Sequence, residues 1–528
     1  MTILNDIKKK YRSGNISRRQ FMEGALAMGM TVAAASTFTA DVLAATPKKG
    51  GRIRAGIAHG STTDSLDPGT YENGYMNNLN YAIHNQIGEV QADGSIAPEL
   101  AESWEASNGA KTWVFTMRKG VEYHNGKTMT PDDVVASINY HRGEDSKSAG
   151  KPLLAQIDDI KTDGSNAVRV ELSGGNADFP FIISDYHFPI KPSKDGKIDP
   201  LDPTGTGGYS LTEHEAGVRS LCTRHPNYFK SDRAHFDEFE MLSIVDTVAR
   251  TSALKTGDVD TIDRCDLKTV HLLEKTPGIK VEESTGTKHY SFPMRTDTAP
   301  FDNNDVRMAL KYAMDREAIV KTVLRGHGVV GNDHPIAPSN PYHNGEMPQR
   351  TYDPDKSRFH LKKAGMEGLA VDLSAADAAF PGAVDAAVLY KEQASKIGIN
   401  INVIREPNDG YWSNVWMNKP WGACYWGGRP TEDAMFSTAY AADADWNDTF
   451  WKNDRFNKLL IEGRAETDTT KRRAIYYEMQ VILSNEGGSL IPMFANYVFA
   501  VSDKVGHNAI AGNWDMDGNK FMERWWFS

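Results

Sequence analysis

Residues 424–436, CYWGGRPTEDAMF, hold the side chains best suited to bind a small molecule. Trp426 offers a flat surface on which a ligand can stack, and the two glycines that follow allow a backbone to approach closely. Arg429 and Asp433 add charged anchors of opposite sign. Such a mixture of aromatic, glycine and charged residues is typical of a cleft wall that holds a ligand by non-covalent contacts.

The charge that faces the ligand selects the sign of the ligand, because an unpaired buried charge is costly. If Arg429 points into the cleft, it favours a carboxylate through a bidentate contact. If Asp433 or Glu432 points inward, an amine is favoured. An arginine–acid pair on the surface of the loop is a purely structural alternative. The residues alone leave these possibilities open.

Motifs of catalysis and nucleotide binding are missing from the sequence. Residues 326–331, GHGVVG, match the dinucleotide fingerprint by letter, but they follow a predicted helix, whereas that fingerprint follows a strand. No Walker-type, HExxH or GxSxG motif occurs. The fifteen histidines are scattered and form no cluster with metal-ligand spacing. We therefore expect no enzyme activity, no bound cofactor and no metal site.

Residues 1–44 predict an export signal. Residues 17–22, SRRQFM, precede a mildly apolar stretch rich in Ala, Gly and Met, which ends in small residues near position 44. This order of charged head, apolar core and cleavage site indicates a twin-arginine signal peptide, with an arginine pair before a buried helix as the alternative. No cysteine lies near the cleavage site, so we expect no lipid anchor.

The net charge limits the class of partner. The chain has 59 Lys and Arg against 70 Asp and Glu, a net charge of −11, and residues 1–44 are themselves basic, so the rest is more acidic still. Nucleic acids and anionic membranes both need a basic surface, so neither is expected as a partner. After residue 44 no apolar run is long enough to cross a bilayer. These features predict a free protein of the periplasm.

Length and cysteine content bound the domain organisation. At 528 residues the chain exceeds what one core supports, so we expect two or three domains. Three cysteines are too few for a disulfide framework. Cys222 and Cys265 could form one bridge in an oxidising compartment and leave Cys424 free, with three buried thiols as the alternative.

Short β-rich runs alternate with helical patterns from Gly51 onward, which predicts an α/β fold. Trp113, Phe115 and Met117 alternate as in a strand with one buried face. Residues 130–135, TPDDVV, predict a helix start with Thr130 as its cap. Residues 302–320 predict an amphipathic helix that Asp302 caps, with one apolar face formed by Val306, Leu310, Ala313 and Val320.

The string at 300–320, PFDNNDVRMALKYAMDREAIV, resembles the segment that opens the second lobe of the extracytoplasmic solute-binding proteins of family 5, which serve peptide-, opine- and nickel-type ABC importers. Further resemblances follow in the family's order at 98–104 (PELAESW), 123–127 (YHNGK), 205–209 (GTGGY), 253–260 (ALKTGDVD) and 393–401 (QASKIGINI). Together they run from about Gly51 to Pro492.

This resemblance implies an α/β, two-lobed periplasmic binding protein fold of type II with an extra domain inserted in the first lobe. We expect residues 45–81, 204–290 and 489–528 to form lobe I, residues 82–203 the inserted subdomain, and residues 291–488 lobe II. The chain would cross between lobes near 291–294 and 489–492, where a few residues can absorb a hinge rotation.

The resemblance also implies site residues on both lobes. Tyr71 and Asn73 lie in a segment similar to an early loop that borders the family's cleft, although local turn bonding is an alternative for Asn73. Phe380 and Tyr411 could add aromatic walls from lobe II, with core packing as the alternative for Tyr411. In peptide-binding relatives an aspartate after the equivalent tryptophan holds the ligand's ammonium, and here Arg429 stands near its place.

The function that follows from the resemblance is that of a periplasmic, monomeric substrate-binding component of an ABC importer. It would close two lobes over a short peptide or a peptide-like, opine-type molecule and deliver it to the permease subunits and their ATPases. A nickel chelate is the alternative within the family. A twin-arginine-exported enzyme is the alternative of a different class.

Overall fold

The computed structural model describes residues 47–407 and 411–528, so the predicted export signal lies outside the described residues. The strands are β1 Arg52–Ile57, β2 Gly88–Val90, β3 Ile96–Pro98, β4 Ala101–Ser107, β5 Thr112–Met117, β6 Ile157–Asp163, β7 Ala167–Leu172, β8 Ser193–Lys194, β9 Lys197–Ile198, β10 Tyr209–Glu215, β11 Arg219–Arg224, β12 Glu238–Ser243, β13 Thr261–Ile262, β14 Ile279–Pro293, β15 Gly328–Val330, β16 Ala370–Ala375, β17 Asn400–Arg405, β18 Cys424–Trp426, β19 Ser489–Ser502, β20 Val505–Gly506 and β21 Trp526–Phe527.

The helices are α1 Gly74–Ile83, α2 Pro131–Tyr140, α3 Phe179–Ile182, α4 Thr247–Thr256, α5 Val270–Leu273, α6 Asn304–Tyr312, α7 Arg316–Val323, α8 Pro354–Ala364, α9 Ala383–Ser395, α10 Tyr411–Asn414, α11 Glu432–Ala439, α12 Asp454–Ala465, α13 Thr469–Glu486, α14 Asp515–Asn519 and α15 Phe521–Arg524, with short 3-10 turns at Pro68–Thr70 and Lys151–Leu154. This mixture of helices and strands confirms the predicted α/β class. Within the described residues, none of the helices combines the length and apolar character that a membrane span requires.

The main sheet has the strand order β10-β11-β12-β1-β13-β19-β14-β18, with β15 attached to β19. Strand β1 lies parallel to both β12 and β13, whereas β19 lies antiparallel to β13 and β14, and β18 lies antiparallel to β14. The segment 326–331 therefore supplies a strand of this sheet, β15, rather than a phosphate-binding turn.

Strands β14 and β19 are shared by two cores. They pair antiparallel from Ile279–Ser502 at one end to Pro293–Ser489 at the other, with the register interrupted between Thr285 and His289. The end near β13 packs in apolar clusters with β1, β12 and the C-terminal helices. The other end packs with α6, α7, α9 and β16. The two strands thus contribute to both cores, and the positions at which the chain crosses between lobes stay a prediction.

A second sheet, of order β4-β5-β7-β6, is antiparallel and has its own core. Trp113, Phe115 and Met117 are all buried in it, which confirms the predicted alternation. Its four strands fall within residues 82–203. The boundaries of an inserted subdomain and of the two lobes stay a prediction, and we use the names lobe I, insert and lobe II for the ranges given above.

Lobe II holds the parallel pair β16–β17 and most of the longer helices. The predicted apolar face at 306–320 is buried, but the segment forms two helices, α6 and α7. Asn303 caps α6 by accepting from the Asp305 backbone N–H, and Asp315 caps α7. The prediction that Asp302 is the cap was wrong by one residue, because the amide of Asn303 fills the same role.

The three cysteines are free thiols buried in three different apolar clusters. Cys222 lies in the cluster of β1 and β12, Cys265 in the cluster of α4 and α5, and Cys424 in the cluster of α11 to α13. The possible bridge between Cys222 and Cys265 is therefore absent from this structure.

Candidate functional site

The candidate site lies where strand β18 joins the edge of the main sheet. β18 pairs antiparallel with β14, so that Tyr425 lies opposite Tyr290 and Trp426 lies opposite His289. Since neighbouring residues of a strand point to opposite faces, Tyr290 and Tyr425 share one face and Trp426 takes the other. Tyr425 is 44% exposed, whereas Trp426 is 5% exposed. The tyrosine face is thus the open one.

Two buried aromatic residues, Phe380 and Tyr411, pack against β14 and β18. Phe380 stacks on Tyr290 with ring centroids 4.3 Å apart and an angle of 6° between the planes. The Tyr411 hydroxyl donates to the Ala423 carbonyl at 2.7 Å, just before β18. Both residues are almost fully buried, and their contacts position the strand and Tyr290 rather than reaching the open face themselves.

Trp426 is held from behind by a buried carboxylate. Its indole N–H donates to Asp448 Oδ2 at 3.2 Å, and the indole of Trp416 donates to the same oxygen at 3.2 Å. Burial raises the pKa of Asp448 to about 6, although the two indole donors oppose this shift. Trp416, Trp426 and Trp446 lie with ring centroids 6.2–6.3 Å apart. Trp426 therefore packs within a cluster of three tryptophans and does not lie on the open face of β18.

Arg429 follows β18 on a loop that is pressed against β14. A Cβ on Gly428 would lie 1.8 Å from Thr287 Oγ1, so only glycine fits there. Arg429 donates from Nη1 to the carbonyls of Gly427 and Gly428, at 3.2 Å each. Burial lowers its pKa, and the neighbouring Tyr186 and Asp185 oppose this. The guanidinium thus faces residues of the insert.

Asp433 and Glu432 point away from this loop, into lobe II. Asp433 pairs with Arg464 at 3.1 Å, and Glu432 accepts from the Tyr342 backbone N–H at 2.8 Å. Burial raises the pKa of Glu432 to about 7 and that of Asp433 to about 6. Both acids thus have partners, whereas Arg429 has only carbonyl oxygens of its own loop as hydrogen-bond acceptors.

Tyr71 and Asn73 have local partners within lobe I. The Tyr71 hydroxyl donates to the Leu66 carbonyl at 2.9 Å, and its ring is 1% exposed. Asn73 caps α1 by accepting from the backbone N–H groups of Tyr75 and Met76, and it donates to Asp64 at 2.8 Å. The structure does not bring these two residues together with Trp426 and Arg429, and their role in binding stays a prediction.

Four residues that face this region from lobe I had no signal in the sequence. Arg264, whose φ is +46°, lies 3.9 Å from Asp515 between Nε and Oδ2. Lys288 places its Nζ over the Tyr497 ring, 5.4 Å from the centroid. Burial raises the pKa of Tyr497, and the charges of Asp515 and Arg264 both act on it. These side chains therefore lie close together at the base of the cleft.

Further residues connect Arg264 to Arg429 and to Trp514. Burial raises the pKa of Tyr290 to about 12, with further effects from Tyr425 and Arg264. Tyr186 is close enough to Arg429 for each to shift the pKa of the other, and its ring centroid lies 6.0 Å from that of Trp514. The residues form a ring, in spatial order Asp515, Arg264, Tyr290, Tyr425, Arg429, Tyr186 and Trp514, and we call it the cleft ring.

One cluster of buried acidic residues has the spacing of a metal site. In the described part of the chain, Glu89, Glu99 and Glu523 bring carboxylate oxygens within 4.8 Å of one another. The ammonium of Lys230 already contacts all three, at 2.6–2.8 Å. Lys520 adds a second cation, 2.7 Å from Glu99. This buried network joins the insert to the C-terminal helices and leaves no place for a metal ion.

Cavities also occur away from the cleft ring. One of about 510 Å³ is lined by Tyr312, Arg350 and Tyr477 of lobe II, and one of about 440 Å³ by Arg224, Lys230 and other residues of lobe I. Neither shares a residue with the cleft ring, and the basic side chains Arg224, Lys230 and Arg350 are already paired with carboxylates. The cleft ring is the better candidate for the ligand site.

Comparisons with known proteins bear on the family of the chain. The family model described as "Bacterial extracellular solute-binding proteins, family 5 Middle" matches residues 95–448. The dipeptide-binding protein of Escherichia coli (strain K12) is 26% identical over 464 residues, which cover 80% of this chain and 84% of that protein. Heme-binding protein A of Haemophilus influenzae is 27% identical over 439 residues, which cover 76% of this chain and 80% of that protein.

The fold resembles solved structures of binding proteins. The periplasmic binding protein AgaA of A. tumefaciens R10, solved in complex with agropinic acid, superposes with a TM-score of 0.70 at 24% identity, covering 90% of this chain and 99% of AgaA. The likeness confirms the two-lobed α/β binding-protein fold expected from the sequence. The presence of an inserted subdomain stays a prediction.

Proposed function

The chain belongs to the bacterial extracellular solute-binding proteins of family 5, and we propose that it captures a short peptide or a peptide-like, opine-type small molecule by closing its two lobes. Its relatives are substrate-binding proteins, and it is not an enzyme. In the proposed role it hands the ligand to the membrane subunits of an ABC importer, whose ATPases supply the energy. It acts as a monomer in the periplasm after twin-arginine export.

One observation carries the proposal: the cleft ring brings together side chains from three separate parts of the chain. Tyr290, Tyr425 and Arg429 come from β14, β18 and the loop after β18, while Tyr186 belongs to the insert and Arg264 to lobe I. A ligand that touches all three parts gains its full contacts only when they close around it. Such differential contact is what shifts an open–closed equilibrium.

The proposed hinge lies in β14 and β19 at the predicted crossings, 291–294 and 489–492. Their ladder breaks register between Thr285 and His289 and again between Tyr290 and Phe292. Interrupted pairing lets a strand bend and twist with less loss of hydrogen bonding than a regular ladder. The proposed lobes, 45–81 with 204–290 and 489–528 against 291–488, would rotate about this point, with the insert 82–203 moving with lobe I.

A thermal-shift screen of the purified protein tests the proposal. The panel contains di- and tripeptides, opines, single amino acids, sugars, haemin, and nickel with and without histidine. A ligand that binds only the native state adds about 2.7 kcal/mol of stability at a hundred times its Kd, which raises the melting temperature clearly. A response to peptides or opines supports the proposal, and a response to nickel–histidine or haemin alone assigns the protein to another ligand class.

Paired variants locate the binding site. Tyr425→Ala removes a half-exposed ring of the cleft ring, whereas Phe359→Ala removes a 63% exposed ring from α8, outside the cleft ring. We expect Tyr425→Ala to weaken binding of the screened ligand and Phe359→Ala to leave it unchanged, both by calorimetry. Equal effects of the two variants, or absence of any ligand in both the screen and mass spectrometry of the denatured protein, would contradict the proposal.

A further inference from the structure

Two cations at the cleft have no acidic partner. Arg429 donates only from Nη1, to carbonyls of its own loop, and its Nε and Nη2 have no acceptor among the described residues. Lys288 has no hydrogen bond or ion pair to any described residue, and its Nζ lies over the Tyr497 ring. Burial lowers the pKa of both groups. Each is therefore a partly desolvated cation with donors left over.

The acids near these cations are already engaged. Asp515 has Arg264 at 3.9 Å, and Asp263 has Arg250 at 3.5 Å together with a hydrogen bond from the Ala58 N–H. Asp185 is hydrogen-bonded to His187 at 2.7 Å. Within residues 47–407 and 411–528, no carboxylate lies within 4 Å of Arg429 or Lys288. The unmatched charge at the cleft is therefore positive.

Buried cations elsewhere among the described residues have a carboxylate partner or carbonyl acceptors, although the Nε atoms of Arg307, Arg316 and Arg350 lack an acceptor. Arg316 and Arg472 each contact a buried carboxylate, at 2.7 and 2.6 Å. Lys311, which has no ion pair, donates to the carbonyls of Ser484 and Gly487 at 2.9 and 2.8 Å. Partnering is thus the rule for desolvated cations in this chain, as energetics require. The unsatisfied pair at the cleft indicates that the missing partner is the ligand.

We propose that the cleft selects small organic acids that carry at least one carboxylate and no free ammonium group. This inference rests on the proposed function, and it narrows the ligand class. Arg429 binds a carboxylate through Nε and Nη2, the bidentate geometry that a guanidinium offers to that group. Lys288 attracts the same or a second anionic group from the other side. The tyrosines of the cleft ring supply stacking surface and hydroxyl groups.

A zwitterionic peptide suits this site less well. Its α-ammonium would need an acidic partner, yet Asp515, Asp263 and Asp185 already have partners, and Arg429 and Lys288 would repel it. The exposed Glu72, whose charge acts on Tyr186, has no ion pair among the described residues, so it is the acid that a peptide's ammonium would have to use. N-acylated amino acids and N-acylated peptides lack that group and keep the carboxylate. Arg429 and Lys288 belong to the same part of the sheet, because β18 pairs with β14 at residues 289–291 and Gly428 lies against Thr287. Their positive charge therefore acts on ligand affinity and does not depend on movement of the lobes.

Three forms of one compound test the inference by calorimetry on the purified protein at pH 7. They are N-acetyl-alanyl-alanine, an anion; alanyl-alanine, a zwitterion; and alanyl-alanine amide, a cation. A dicarboxylate without a basic nitrogen, N-succinyl-alanine, joins the panel. We expect the N-acetylated and dicarboxylate compounds to bind at least about tenfold more tightly than the zwitterion and the amide not to bind, since a charged hydrogen bond is worth about that factor or more.

The variants Arg429→Gln and Lys288→Gln carry the second half of the test. Arg429→Gln should weaken the binding of the anionic compounds by about tenfold or more and remove the difference in affinity between the anionic, zwitterionic and cationic forms. Lys288→Gln should weaken them by a smaller factor and reduce the dependence on salt. Arg455→Gln, which changes a half-exposed arginine of α12 away from the cleft ring, is the control and should change nothing. Neither cleft variant should lower the melting temperature of the ligand-free protein.

Each outcome supports or overturns the inference. Equal or better binding of the amide or the zwitterion, or anion binding that survives Arg429→Gln, overturns it while the proposed function stands. If no compound of any charge class binds and the denatured protein releases no small molecule, the proposed function fails as well. A drop in the ligand-free melting temperature on Arg429→Gln would mean that the arginine has a structural partner.

Discussion

Replacing Glu432 by glutamine is expected to stabilise the protein at neutral pH and to leave it unchanged in acid. Glu432 is 2% exposed, and its side chain accepts one hydrogen bond, from the Tyr342 backbone N–H at 2.8 Å. No cation lies within ion-pair distance of Glu432 in the described part of the chain. Burial raises its pKa from 4.5 to about 7, and the nearby charge of Asp178 acts in the same direction.

The magnitude follows from linkage. In the unfolded chain the Glu432 carboxyl ionises near pH 4.5, whereas in the folded protein it ionises near pH 7. Because the unfolded state releases its proton first, native stability falls as the pH rises between these two values and then levels off. Each pKa unit corresponds to about 1.4 kcal/mol, so the ionised carboxylate costs about 3 kcal/mol at pH 8.

Urea unfolding at pH 4, 6 and 8 measures this cost. Glutamine keeps an oxygen for the Tyr342 N–H and has no charge to bury. The unfolding midpoints of Glu432→Gln and the unsubstituted protein should coincide at pH 4 and separate by pH 8, with the variant the more stable. Glu462→Gln, a half-exposed change on α12, is the control and should show no such trend. A variant that is less stable at pH 8 would refute the reasoning, because it would show that the carboxylate is charged and paired in the native state.

Three further predictions follow from buried groups. Asp178→Ala removes the carboxylate that pairs with the buried Arg472 guanidinium at 2.6 Å. Urea unfolding should show that the free energy of unfolding falls by about 3–5 kcal/mol, and that the double variant with Arg472→Ala recovers part of this loss. Asp448→Ala leaves two indole N–H groups without an acceptor, so it should lower the free energy of unfolding by about 1–3 kcal/mol for each N–H group and alter the tryptophan fluorescence. Asp448→Asn keeps an acceptor oxygen and should have neither effect. All three cysteines are buried and burial raises the pKa of each thiol, so none should react with a thiol reagent until the protein is denatured; reaction of the native protein would contradict this.

The sequence was informative where a pattern is local. The apolar period over residues 306–320 predicts a buried helical face, and the face is buried, but the pattern does not show the break between α6 and α7. The break depends on Asp315, whose side chain caps the second helix, α7, by accepting from the Ala318 backbone N–H. The shift of the first cap from Asp302 to Asn303 has a similar cause, since several neighbouring side chains can cap and only the path of the backbone decides between them.

The site was less predictable because its residues meet through topology. The run of aromatic, glycine and charged residues locates the loop after β18, but it does not show whether Arg429 or Asp433 faces the cleft. That choice depends on Arg464, 31 positions beyond Asp433 on a different helix, which pairs with the aspartate. Lys288 and Arg264 carry no motif at all. They reach the cleft because the strand order places β14 and β13 on either side of β19.

The buried Asp178–Arg472 pair bears on the proposed closure, because it joins the insert to lobe II without any ligand. If the insert moves with lobe I, opening breaks this pair, so the pair lowers the free energy of the closed form relative to the open one. Arg429 and Lys288 act on ligand affinity instead, since β18 is paired with β14 and the loop of Arg429 lies against Thr287. Moving a population from 1:99 to 99:1 requires about 10⁴-fold tighter binding to the closed form, and with the Asp178–Arg472 pair in place the ligand supplies only part of that difference.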